Sequence, residues 1–155
     1  MNYKQKSVMF FATGCFIGNI SLAPGTFGSI LGLAFCFLFS KMEFAVAAPL
    51  TILLVFFAIW IAHKAEKILK KEDPGCIVID EIAGMVVTLI GLPFNMISVL
   101  TGFIVFRTLD TWKPYPIRFL ERKLSGGIGI VMDDIAAGIL GNIILRFSFY
   151  ALKNL

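Results

Sequence analysis

Residues 126–147 read GGIGIVMDDIAAGILGNIILRF. Two adjacent aspartates, Asp133 and Asp134, stand near the start of an otherwise apolar run. A helix needs about 20 mostly apolar residues to cross the hydrocarbon core of a bilayer. An acid placed in that core costs on the order of 3 kcal/mol or more. The stretch is therefore either a buried helix of a soluble core or a membrane helix whose acids have partners and a purpose.

Composition decides between them. Of 155 residues, 58% are hydrophobic and 15% charged, with a mean hydropathy of +0.88. Soluble domains carry roughly 25% charged residues, and one core of this size cannot hide so much apolar surface. The expectation is an all-α integral membrane protein, one domain over residues 1–155. Apolar segments run over 8–22, 27–40, 44–62, 77–92, 94–109 and 128–150, and only 44–62 and 128–150 approach spanning length. SKME (40–43) and GLPFN (91–95) separate the shorter segments into two pairs, each expected to form a helical hairpin. The short helices are then partly buried in protein, giving a compact bundle.

The cations give an orientation. Lys4 and Lys6 lie at the start, Lys64, Lys67, Lys70 and Lys71 crowd one loop, and Lys113, Arg118, Arg122 and Lys123 another. Such clusters beside apolar spans mark the cytoplasmic side and attract anionic headgroups. The opposite turns carry only Lys41 and Glu43. No basic stripe lies on a soluble domain, so nucleic acid is not an expected partner. No cleavage site of the small-x-small type follows the basic start, so no removable signal is expected. Cys15, Cys36 and Cys76 are odd in number and far apart, which suits packing rather than a disulfide framework.

Five of the ten acids lie in three motifs: Asp80 and Glu81 in IDEIAG, Asp110 in FRTLDTWKP, Asp133 and Asp134 in MDDIAAG. The hairpin topology brings all five to the cytoplasmic ends of different helices. Taken singly, each could pair with a base or sit among headgroups; Arg107 is spaced to pair with Asp110 along a helix face. Taken together they repel, and a hard divalent ion bound by oxygens relieves that repulsion. Mg2+ uses one or two carboxylates, keeps waters and bridges to phosphate. Ala83, Gly84, Ala137 and Gly138 follow the acids on the same helix faces and allow close helix approach.

Two stretches suit a phosphate. In GNISLAPGTFGSILG (18–32), Pro24 and Gly25 turn the chain and Thr26 or Ser29 is placed to cap the next helix, whose free amides could hold an anion. In DTWKPYPIR (110–118), Pro114 and Pro116 stop the helix, leaving Lys113 and Arg118 on an extended segment beside the interfacial rings of Trp112 and Tyr115. Other phosphate chemistries are missing. The single histidine, His63, rules out a histidine pair, and no cysteine-phosphatase loop, D-x-D motif or G-x-S-x-G elbow occurs. Metal-dependent hydrolysis remains.

APGTFGS (23–29), DEIAG (80–84), FRTLDTWKPYPIR (106–118) and GGIGIVMDDIAAG (126–138), in that order, make the chain resemble the phosphatidylglycerophosphatase A family over nearly its whole length. The resemblance implies an all-helical enzyme of the bacterial inner membrane. It also implies Mg2+-dependent removal of the terminal phosphate of phosphatidylglycerol phosphate. Asp80, Asp133 and Asp134 are the expected metal ligands, with Glu81 or Asp110 completing the shell or acting as general base. Thr26, Ser29, Lys113 and Arg118 are expected to hold phosphate, and Arg107 to orient Asp110 or reach phosphate. The rival readings are a CDP-alcohol phosphotransferase, whose longer aspartate motif is missing here, and a small ion or proton transporter, which calls for acids at mid-span.

Overall fold

The computed structural model describes residues 1–153, and among them every regular element is a helix. α1 spans Tyr3–Ala12, α2 Pro24–Phe39, α3 Phe44–Leu69, α4 Ile79–Leu89, α5 Met96–Trp112, α6 Ile117–Lys123 and α7 Gly126–Lys153, with a short 3-10 turn at Ile17–Asn19. α3 and α7 are the two helices long and apolar enough to cross a bilayer. They contain the two segments that length alone had singled out. Leu53, Phe56 and Trp60 stand exposed along α3, an arrangement suited to lipid rather than water.

The apolar segment 8–22 does not form one helix. Gly14, Cys15 and Phe16 all take left-handed φ values, +54°, +58° and +69°, and the chain turns there after α1. The first expected hairpin also differs from a packed pair. α2 and α3 are joined by a short turn, but α2 packs chiefly on α4, and α3 on α7 and α4. Among the described residues the three cysteines are free, with Cys36 buried.

The centre of the bundle is α4. It has 11 residues, and nine of them are buried. It contacts α7, α2, α3 and α5, so its length need not match a bilayer. Ile82 belongs to a cluster with Ile61 and Val131. Met85 and Val86 belong to a second with Phe106 and Leu145. Where lipid is the solvent, helices associate through packing and hydrogen bonds rather than through escape from water. The closest approach is to α7. A side chain at Gly84 would strike the Phe106 ring at 2.7 Å and the Asp134 carbonyl at 2.9 Å, and one at Gly138 would strike the Gly84 carbonyl at 2.6 Å.

A short helix surrounded by apolar groups must also satisfy its terminal carbonyls. α7 supplies the donors. Asn142 Nδ2 donates to the carbonyls of Thr88 and Ile90 at 2.9 and 3.0 Å. Arg146 Nη2 donates to the Ile90 carbonyl at 3.0 Å, and its Nε holds Asn142 Oδ1 at 2.7 Å. α4 is thereby fixed to α7 at its C-terminal end, with the glycine contact midway.

Gly138→Val drives a branched side chain into the α4 backbone. The expected loss is about 1–3 kcal/mol, the usual cost of overpacking, seen as a lower thermal midpoint of the purified protein in detergent. An unchanged midpoint would show that α4 and α7 do not depend on this contact.

Candidate active site at the α4–α7 crossing

Five elements bring polar groups to one cleft of about 280 Å³. Asp80 and Glu81 stand in the first turn of α4, and Asp110 near the end of α5. Asp133 and Asp134 lie on α7, with Arg107 on α5 and Lys113 just beyond it. The start of α2 adds Ala23, Pro24 and Gly25, and the α3–α4 loop adds Asp73 and Gly75. The five expected acids do converge.

They do not converge equally. Oxygens of Asp80, Glu81 and Asp134 all lie within 4.8 Å of one another. Asp133, the residue before Asp134, is turned to Lys113, whose Nζ donates to its Oδ2 at 2.6 Å. Lys113 also donates to Glu121 at 2.7 Å. Arg107 Nη1 donates to Asp110 Oδ2 at 2.6 Å, the helix-face pair the spacing suggested. The two cations of the cleft thus pair with Asp110 and Asp133, and no member of the trio has an ion pair among the described residues, although the Arg107 guanidinium lies near Glu81. Glu81 Oε2 and Asp134 Oδ2 are buried with no hydrogen-bond partner among the described residues.

Burial governs the titration of the α4 acids. In the short α4, which lies outside the two spanning helices, burial and then the neighbouring Glu81 carboxylate push Asp80 well above the ordinary range. Burial also raises Glu81. Burial works to lower the Lys113 pKa, but its hydrogen bonds to Asp133 and Glu121 outweigh this and hold it raised. Crowded buried carboxylates stay ionised only beside a positive charge. Two orphaned oxygens among three hard oxygen donors fit a divalent cation of the Mg2+, Ca2+ or Mn2+ type.

The start of α2 departs from expectation. Its N-cap is Ala23, with φ +52° and no side-chain cap, and Pro24 opens the helix. Pro is favoured there because its φ is preset and it has no amide to satisfy. Neither Thr26 nor Ser29 caps the helix. Ser29 is buried and donates to the Gly25 carbonyl at 2.8 Å, and Thr26 does not line the cleft. The amides of Thr26 and Phe27 both turn to the Ala23 carbonyl, so few remain for an anion. What α2 contributes is Gly25. Any side chain there would press on the Glu81 carboxylate and the Arg107 guanidinium.

The segment after α5 is also not extended throughout. Lys113 is the left-handed C-cap of α5, and Arg118 sits on α6. Arg118 is exposed, makes a long 3.5 Å contact to the Trp112 carbonyl and does not line the cleft. Asp73 and Gly75 were not anticipated from sequence. Their signal was the turn-forming EDPG at 72–75, which also puts Asp73 at φ +41°.

A family model described as phosphatidylglycerophosphatase A matches residues 10–149. The phosphatidylglycerophosphatase A of Escherichia coli K12 is 38% identical over 88% of this chain and 80% of its own length. That of Haemophilus influenzae is 32% identical over 89% of this chain and 86% of its own. A Bacteroides thetaiotaomicron protein named provisionally as a phosphatidylinositol-3-phosphatase is 36% identical over 88% of this chain and 90% of its own. No solved structure matches significantly.

Lys113→Met leaves the Asp133 carboxylate buried without its cation. The expected cost is about 1–3 kcal/mol, and adding Asp133→Asn recovers part of it. A double-mutant cycle by thermal unfolding in detergent should show coupling of about 1 kcal/mol or more. Strictly additive losses would show that the two side chains do not interact.

Proposed function

The chain belongs to the phosphatidylglycerophosphatase A family, and on that premise we propose that it hydrolyses phosphatidylglycerol phosphate to phosphatidylglycerol and inorganic phosphate with Mg2+ as cofactor. The observation that carries the Mg2+ part is the trio Asp80, Glu81 and Asp134, in which Glu81 Oε2 and Asp134 Oδ2 are buried with no hydrogen-bond partner among the described residues. These three residues would hold the ion. When bound, Mg2+ supplies charge against the phosphoryl oxygens and lowers the pKa of water.

The remaining roles fall to the chain's own groups. Arg107, beside the space kept open by Gly25, offers its outer guanidinium nitrogen to a phosphoryl oxygen. Asp110, held by Arg107 and outside the trio, accepts the proton of the attacking water. Lys113 offers a second positive charge at the edge of the cleft while keeping Asp133 neutralised. The acyl chains stay in the bilayer, which accounts for so apolar a scaffold around a charged reaction.

The proposed location is the bacterial inner membrane with the cleft facing the cytoplasm. The Lys/Arg clusters at 64–71 and 113–123 flank the cleft, which supports that orientation. The Bacteroides relative brings in a second substrate, phosphatidylinositol 3-phosphate. Both lipids carry a phosphomonoester on a polyol that is joined to the lipid through a phosphodiester.

Purified protein should release phosphate from phosphatidylglycerol phosphate with Mg2+ and lose that activity in chelator. Asp134→Asn should lower turnover by about 100-fold or more, the scale of one essential electrostatic group, with helical content retained. No release with Mg2+ present would refute the proposed reaction. Near-normal turnover of a folded Asp134→Asn protein would remove Asp134 from the site.

A further inference from the structure

We propose that the groove beside the cleft, between the α1–α2 connection and the α3–α4 loop, is a subsite for the second, diester phosphate of the lipid substrate, with Lys71 as its cation. The proposal rests on the phosphatase reading above and extends it to how the headgroup is recognised.

The cleft is small and continues in two directions. On one side, through Asp73 and Asp133, it meets a hollow of about 280 Å³ that also carries Glu66, Glu72 and Glu121. On the other, through Pro24 and Gly75, it meets a groove of about 530 Å³ lined by Asn19, Ser21 and Lys71, with Ile20 and Leu69 as its apolar part. These two hollows are the lined routes by which a substrate whose phosphomonoester lies among the acids can lead its polyol and diester away.

Charge separates the two. The first hollow gathers five carboxylates, and Lys113, the cation beside them, already serves Glu121 and Asp133. A diester anion there would meet like charge with no free cation. In the second groove Lys71 has no hydrogen bond or ion pair among the described residues, and neither do the side chains of Asn19 and Ser21. An ammonium and two neutral donors are the groups that hold a phosphate oxygen. Ile20 and Leu22, exposed beside them at 42% and 77%, suit the point where the headgroup joins its acyl chains. The order along the molecule is then phosphomonoester at the trio, polyol past Pro24 and Gly75, diester at Lys71, and acyl chains beyond.

The experiment compares Lys71→Gln with Lys70→Gln, which removes the same charge from the same loop at a residue that does not line the groove. Both are assayed on phosphatidylglycerol phosphate in detergent micelles with Mg2+. Lys71→Gln should raise KM about tenfold, the scale of one charge-assisted hydrogen bond, with kcat retained. Lys70→Gln should leave KM near wild type, and Lys71→Arg should restore it to within about twofold, since Arg binds phosphate as well. Equal KM increases in both Gln variants would mean a general attraction of the anionic lipid to the loop, and would overturn the subsite. So would an unchanged KM in Lys71→Gln, or a loss confined to kcat. If the wild-type protein itself fails to release phosphate from this lipid, the phosphatase reading falls and the subsite with it. That failure is distinct, because it is seen before any variant is compared.

Discussion

The structure turns on three carboxylates that face one another with no ion pair among the described residues. Two like charges about 4 Å apart repel by about 4 kcal/mol at an effective dielectric of 20, and oxygens of Asp80, Glu81 and Asp134 lie within 4.8 Å of one another. The fold holds them together through contacts made elsewhere along α4 and α7. Gly84 and Gly138 let α4 and α7 touch backbone to backbone, and Asn142 with Arg146 ties the far end of α4 to the same helix. The acids cannot separate unless those contacts break. They can relieve the repulsion only by taking up protons, the direction in which Asp80 and Glu81 are pushed, or by taking up a cation.

The central helix is short, with 11 residues. α4 begins inside the bundle and ends inside it, sheathed by α2, α3, α5 and α7. Its first turn presents Asp80, buried, and Glu81, half-buried, to the cleft. The cost is two buried helix ends. At the N-terminal end the acids accept backbone amides, as Asp80 does from Glu81. At the other, α7 side chains replace the missing donors.

Much of this was legible in the sequence. The membrane class follows from composition, the helical class from the apolar segments and the family resemblance, and α3 and α7 from the length of their apolar runs. The convergence of Asp80, Glu81, Asp110, Asp133 and Asp134 follows from topology, because hairpins return their ends to one side. The small residues Ala83, Gly84, Ala137 and Gly138 after the α4 and α7 acids foretold the close crossing. What the sequence did not settle depends on rotation and on local backbone. Capping of α2 by Thr26 or Ser29 was plausible by residue type, but Pro24 starts the helix two residues earlier, and that turns Ser29 inward. Arg118 shares a loop with Lys113, yet α6 carries it out to solvent. Asp73 belongs to no apolar segment and no helix, so periodicity had nothing to say of it. Lys71 is one of four lysines in a cluster, and only the groove distinguishes it from its neighbours.

The paired aspartates illustrate the limit best. Successive residues on an α-helix point about 100° apart, so Asp133 and Asp134 cannot address the same partner. One faces α4 and joins the trio, and the other faces Lys113 at the end of α5. Sequence shows the two charges as a unit and invites both into one ligand shell. Geometry gives them separate tasks: Asp134 supplies an unpaired oxygen to the cleft, while Asp133 fixes the cation at its edge. With Arg107 fixed by Asp110 in the same manner, the cleft holds both of its positive groups in place by acids outside the trio. The trio is left with no ion pair of its own among the described residues, and its crowding is what the α4–α7 contact has to hold against.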